Sequence, residues 1–184
     1  SQTAQRLIVP VEQAIHDRLG EYIWGYDDDT PSQSAGRSLI EKGLSVAVIE
    51  MCTGGALTNS ITDVPESVSY FKGGTVAYDE ASLQTYGVPA DVMKQNGVVS
   101  QQSANAMADT VRRNLNADLG VAVTGVPGPG EFEGKPLGLA YICVTNGEQT
   151  REMEMRLPPR RVTIKRRVPN QALIELRRLI EITG

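Results

Sequence analysis

The chain is poor in the side chains that carry most metal and redox chemistry. One histidine, His16, and two cysteines, Cys52 and Cys143, stand among 184 residues. A tetrahedral zinc site built from His and Cys would lack ligands, and no metal or cofactor is expected. The two cysteines share no short spacing, so free buried thiols are expected rather than a disulfide. No apolar run approaches the ~18 residues that span a bilayer. No charged-then-apolar leader precedes a cleavage site. These absences point to a soluble cytoplasmic protein without membrane contact.

What is present is ordinary for a globular protein: 40% hydrophobic and 22% charged residues. The length suits one domain with a real core. The net charge of −4 is unevenly spread. Residues 151–184 hold nine of the 18 Lys and Arg against four Glu, which is +5 there and −9 elsewhere. A chain of this overall sign lacks the footprint of a nucleic-acid binder. The basic tail reads either as a solvated helix face or as a phosphate- or partner-facing patch.

Pro10 opens an amphipathic stretch over 11–19 that Gly20 ends, and "YDDDTPSQS" over 26–34 reads as a linker. The expected division is a helical segment with linker over 1–33 and an α/β domain over 34–184. That domain begins with a helix over 34–42 capped by Gly43, then a buried strand over 44–49. A helix over 55–63 follows, then a strand over 68–78 bent at Gly73 and Gly74. Pro89 opens a short helix to 95. Ser100 caps a longer one over 101–116, with Ala104, Met107, Ala108, Val111 and Leu115 on one face.

Strands over 119–125 and 137–145 come next, and Asn146–Gly147 turns the chain into 150–157. That last run sets Met153, Met155 and Leu157 on one face against Glu152, Glu154 and Arg156, as an antiparallel edge strand with one wet face does. A final helix over 168–182 turns Leu173, Leu176 and Ile180 inward. The order implies an α/β fold: a three-layer α/β/α sandwich with a mixed β-sheet.

Two glycine-rich turns follow buried strands, at "EMCTGG" (50–55) and "VTGVPGPG" (123–130). In each, glycines let the backbone approach a ligand closely, and at the first a helix then presents unsatisfied N–H groups. Either turn alone is equally a packing device. Two of them at the ends of neighbouring strands point to one crevice for a small anionic ligand.

These turns also carry a resemblance. "IEMCTGG" with "TDVPESVSYFKGGTVAY", "YGVPADVMKQNGVVS", "ADLGVAVTGVPGPG" and "KPLG", in that order, resembles the CinA C-terminal domain family over about residues 19–180. The resemblance implies an α/β/α fold and a homo-oligomer. It also implies a nicotinamide-nucleotide amidase, which converts nicotinamide mononucleotide to nicotinate mononucleotide and ammonia. In fused members a nucleotide domain precedes this one, and residues 1–20 resemble the end of that connection.

The family's catalytic pair does not carry over. Its nucleophile is the serine of "AESCTGG", a position held here by Met51. Its base is the lysine of "YSNEAK". Counting forward from Tyr78 places Leu83 there, and counting back from Gly87 places Ser82. Cys52, as a substitute nucleophile, and Lys72, as a displaced base, are the remaining candidates.

The binding shell implied by the resemblance is Glu50, Thr53, Gly54, Gly55, Tyr78, Thr124, Gly125, Gly128 and Gly130. Glu50 alternatively caps its own turn. Three readings stay open: a nucleotide-binding domain with weak or no deamidation, an active amidase using Cys52 or a displaced base, and a non-catalytic protein-interaction module.

Overall fold

The organising element is one five-stranded sheet in a computed structural model that describes residues 2–183. β1 (Val46–Glu50), β2 (Phe71–Val76) and β3 (Leu119–Gly125) run parallel. β4 (Leu139–Thr145) and β5 (Thr150–Arg156) join antiparallel, giving the order β2-β1-β3-β4-β5. β1 and β3 are buried at every position, as central strands covered on both faces must be.

Alternation along β1 sorts the layers. Val46 and Val48 face a core shared with α2 (Pro31–Lys42), α3 (Ala56–Thr62) and α7 (Arg161–Ile182), through Leu39, Leu57, Ile164 and Leu176. Ala47 and Ile49 face a second core under α4 (Glu80–Thr85), α5 (Ala90–Asn96) and α6 (Gln101–Asn114), through Leu83, Met93 and Met107. The molecule is thus a three-layer α/β/α sandwich on a mixed sheet. At the end of the sheet where β1 and β3 begin, Asp118 accepts hydrogen bonds from the Ser45 backbone N–H at 2.8 Å and hydroxyl at 2.6 Å.

Several boundaries differ from the sequence reading, each for a local reason. α2 starts at Pro31, because Thr30 and Gln33 form a reciprocal capping box inside the stretch read as linker. The second strand pairs only from Phe71, since Pro65–Ser69 forms a 3₁₀ turn first. α4 went unread; Asp79 and Ser82 cap it reciprocally, and only Leu83 in it is buried. α7 starts at Arg161 rather than 168. It runs through a buried Pro169, which costs one backbone hydrogen bond but does not end the helix.

Met153 and Met155 do face the core and Glu152 and Glu154 the solvent. The methionines are only half-buried, as befits the sheet's edge.

The first helix, α1 (Gln2–Leu19), likewise continues through Pro10. Its side chains from residue 4 to 19 are all exposed, and Leu7, Ile8, Val11, Ile15 and Leu19 lie on one side of it. Among the described residues no helix is long and apolar enough to cross a membrane.

Candidate functional site

The parallel pairing of β1 with β3 sets Glu50 opposite Val123, so the two glycine-rich turns leave the sheet side by side. Between them lies a cleft of about 190 Å³, lined by Met51 and Cys52, by Tyr78 beyond β2, and by residues 125–132. Its walls are mainly apolar: Val126, Pro127, Pro129 and Phe132 join the thioether and the thiol. The volume suits a flat ring rather than a whole nucleotide.

Glu50 builds the first turn rather than lining the cleft. Its side chain is fully buried and accepts four hydrogen bonds, from Thr53 Oγ1 at 2.6 Å, Leu57 N at 3.0 Å, Thr58 N at 2.9 Å and Thr58 Oγ1 at 2.6 Å. One carboxyl group thereby caps α3 and ties down Thr53. Gly54 and Gly55 between them have φ of +60° and +95°, left-handed values that glycine adopts without strain.

Thr124 lies beneath the cleft, with its hydroxyl 3.0 Å from the Val98 carbonyl and 3.5 Å from Met51 Sδ. Of the residues singled out from sequence, Met51, Cys52, Tyr78, Gly125, Gly128 and Gly130 line the cleft. Glu50, Thr53 and Thr124 do not line it, and neither do Gly54 and Gly55, which turn the chain into α3.

The remaining candidates lie elsewhere. Leu83 is fully buried in the core under α4. Ser82 is half-buried at the start of α4, and its Oγ accepts the Tyr78 backbone N–H at 3.1 Å. Lys72 is at the opposite end of β2, where its charge acts on Asp118. Cys52 does line the cleft, but burial, reinforced by the nearby Glu50, pushes its thiol up to about 12. At neutral pH it is a thiol and a poor nucleophile. Among the described residues no cluster of His, Cys, Asp or Glu could hold a metal ion.

Sequence reasoning missed the cations of the site. Arg161, in the first turn of α7, donates to the Gly128 carbonyl at 2.9 Å and to the Tyr78 hydroxyl at 2.8 Å, bridging two walls. Lys165, one turn on, has its ammonium 3.6 Å from where a Cβ on Gly54 would stand. The signal was the basic tail over 151–184, which read either as a solvated helix face or as a phosphate- or partner-facing patch. The site therefore couples an apolar cleft to a cationic rim, an arrangement suited to a ring that carries an anionic group.

Comparison with known proteins agrees with this architecture. A family model described as the CinA C-terminal domain matches residues 28–180. A protein of Desulforudis audaxviator named as competence-damage inducible is 38% identical over 172 residues, 92% of this chain and 42% of its own length. A like-named protein of Desulforamulus reducens is 42% identical over 171 residues. The chain thus spans about two fifths of the length of these relatives.

Among solved structures, a CinA superfamily protein from Klebsiella pneumoniae superposes with a TM-score of 0.79 at 21% identity, covering 82% of this chain and 96% of that one. A competence/damage-inducible protein from Agrobacterium tumefaciens gives 0.69 at 27% identity, covering 86% and 97%.

Proposed function

Because the chain belongs to the CinA C-terminal domain family, we propose that its cleft binds nicotinamide mononucleotide or a close relative and deamidates it weakly or not at all. One observation carries the reading: a thioether, Met51, stands in the cleft at the position the resemblance assigns to the nucleophile. Acyl transfer needs a nucleophile and a proton acceptor within hydrogen-bond reach. Met51 offers no transferable proton, and the neighbouring Cys52 keeps its own. Among the described residues no lysine lines the cleft, and the Lys165 ammonium lies beside Gly54 instead.

The features that would hold the ligand remain. Apolar walls of ring size support a nicotinamide there, and Arg161 beside Gly128 and Lys165 beside Gly54 would be the partners of its phosphate. The same reading carries a homo-oligomeric state, which sedimentation would test.

Titration calorimetry with nicotinamide mononucleotide, paired with an ammonia-release assay on the unmodified protein, tests the proposal. The expected result is saturable binding with release at the level of the protein-free control. Robust release would overturn the inactive reading, and its loss in Cys52→Ala would assign the nucleophile. Absence of binding would remove the nucleotide reading altogether.

A further inference from the structure

The outer wall of the cleft is a loop that leaves β3 at Gly125 and returns to β4 at Leu139. Its root is fixed by backbone bonds: Val126 N–H to Leu139 O at 2.8 Å, and Gly138 N–H to Val126 O at 3.0 Å. Its far part closes on itself, with Phe132 and Lys135 exchanging backbone hydrogen bonds at 3.1 and 2.9 Å. At that tip Glu133 adopts φ +53°, the left-handed region that a non-glycine residue rarely occupies.

Its carboxylate reaches across to a different element. Oε1 accepts the Val98 N–H at 2.9 Å and Oε2 the Val99 N–H at 3.1 Å, just ahead of α6. Lys135 completes the attachment, donating to Glu133 at 3.3 Å and to the Asn96 carbonyl at 3.1 Å. Gly97 makes room for both. A Cβ there would stand 2.4 Å from the Glu133 carboxylate and 2.6 Å from the Lys135 ammonium, at a φ of +80°.

The other side of the same peptide segment belongs to the cleft floor. The Val98 carbonyl accepts the Thr124 hydroxyl, which in turn touches Met51 Sδ. Val98 is therefore held from above by the loop, through its N–H, and from below by the floor, through its C=O.

We propose that Glu133 is a positioning residue whose clasp on the Val98 and Val99 amides sets the wall at residues 128–132 against the floor at Met51 and Thr124, and so sets the width of the cleft. Glu133 itself does not line the cleft; it acts through Gly128 and Phe132, which do. The ligand half of this proposal rests on the nucleotide reading above, whereas the clasp itself does not.

Hydrogen–deuterium exchange on the full chain, in Glu133→Gln and separately in Lys135→Met, tests the clasp without any ligand. Loss of charge-assisted hydrogen bonds to two amides will raise exchange at Val98, Val99 and 126–135 by about tenfold or more, with β1 and β3 unchanged. Nicotinamide mononucleotide affinity, measured by calorimetry, will fall in parallel, by roughly tenfold in Glu133→Gln. Lys135→Met keeps the carboxylate and will show a smaller version of the same pattern. Unchanged exchange at the loop would overturn the proposal, and so would a rise spread evenly over the sheet, which marks simple loss of stability. If the unmodified protein fails to bind the nucleotide, the functional reading falls while the exchange data still decide the clasp.

Discussion

At the scale of single residues, Glu50 and Met51 are neighbours with opposite duties. Glu50 accepts four hydrogen bonds out of reach of water, and an amide in its place can accept at only one of its two terminal atoms. Glu50→Gln will therefore lower unfolding free energy by about 2–3 kcal/mol in urea melts, the cost of stranding buried donors.

Met51→Ser restores a hydroxyl to the cleft but no base, so alone it will give no measurable ammonia release. The structure decides between the two places where a lysine can be added. Leu83→Lys forces a cation into the apolar core and will destabilise severely. Ser82→Lys gives up half of the α4 capping box but falls at a half-buried position with a way out to solvent, beside the backbone of the cleft-lining Tyr78. Met51→Ser with Ser82→Lys is then the double variant expected to fold and to show activity above the single replacements. Activity in Met51→Ser alone would point to a base already in place.

At the scale of elements, what was legible in the sequence is what local chemistry fixes. β3 occupies the residues expected of it, because a β-branched apolar run between turns has few alternatives. The Asn146–Gly147 hairpin and the alternation of β5 follow from turn chemistry and period two. Proline misled at one end of the chain: Pro10 read as a helix start, yet it lies inside α1, as Pro169 lies inside α7. The site was legible as two turns and no further. Arg161 meets Tyr78 across more than eighty positions of sequence, and no local pattern encodes that contact.

The start of α2 was hidden because its capping box looked like linker, which makes it a fair test of the account. Thr30→Ala removes the cap of a helix that packs on α7. It will cost about 1 kcal/mol, lowering the melting temperature by roughly 2–4 °C.

At the scale of the whole molecule, α1 and acid offer two separate levers on stability. The stripe on α1 buries none of its large apolar side chains. Replacing Leu7 and Ile15 together by Glu will leave the thermal melt of the α/β body unmoved, and a lowered melt would show that the stripe is covered in solution.

Acid is the second lever. The Ser45 hydroxyl bond, followed by the Ser45 backbone N–H, holds Asp118 below the usual carboxylate range despite partial burial. At Glu133 burial pushes upward, but the Val98 and Val99 amides and Lys135 outweigh it. A carboxyl depressed on folding adds stability that is complete above its unfolded pKa and is lost as pH falls through the folded one. Urea midpoints will therefore hold steady through these groups from neutrality down to the carboxylate range, then drop. Asp118→Asn will flatten part of that drop.

The change from parallel to antiparallel pairing at β3 has a consequence in time. β3, β4 and β5 are consecutive in the chain, joined by 13 and four residues, so their contacts close smaller loops than the pairing of β1 with β3 and form early. Registering β1 against β3 must await closure of a much longer loop, the 68 residues from 51 to 118. The cleft takes one wall from each half and exists only after that later step. In refolding experiments a cleft-binding dye will therefore report slower kinetics than circular dichroism, and the lag between the two signals will clock the arrival of β1.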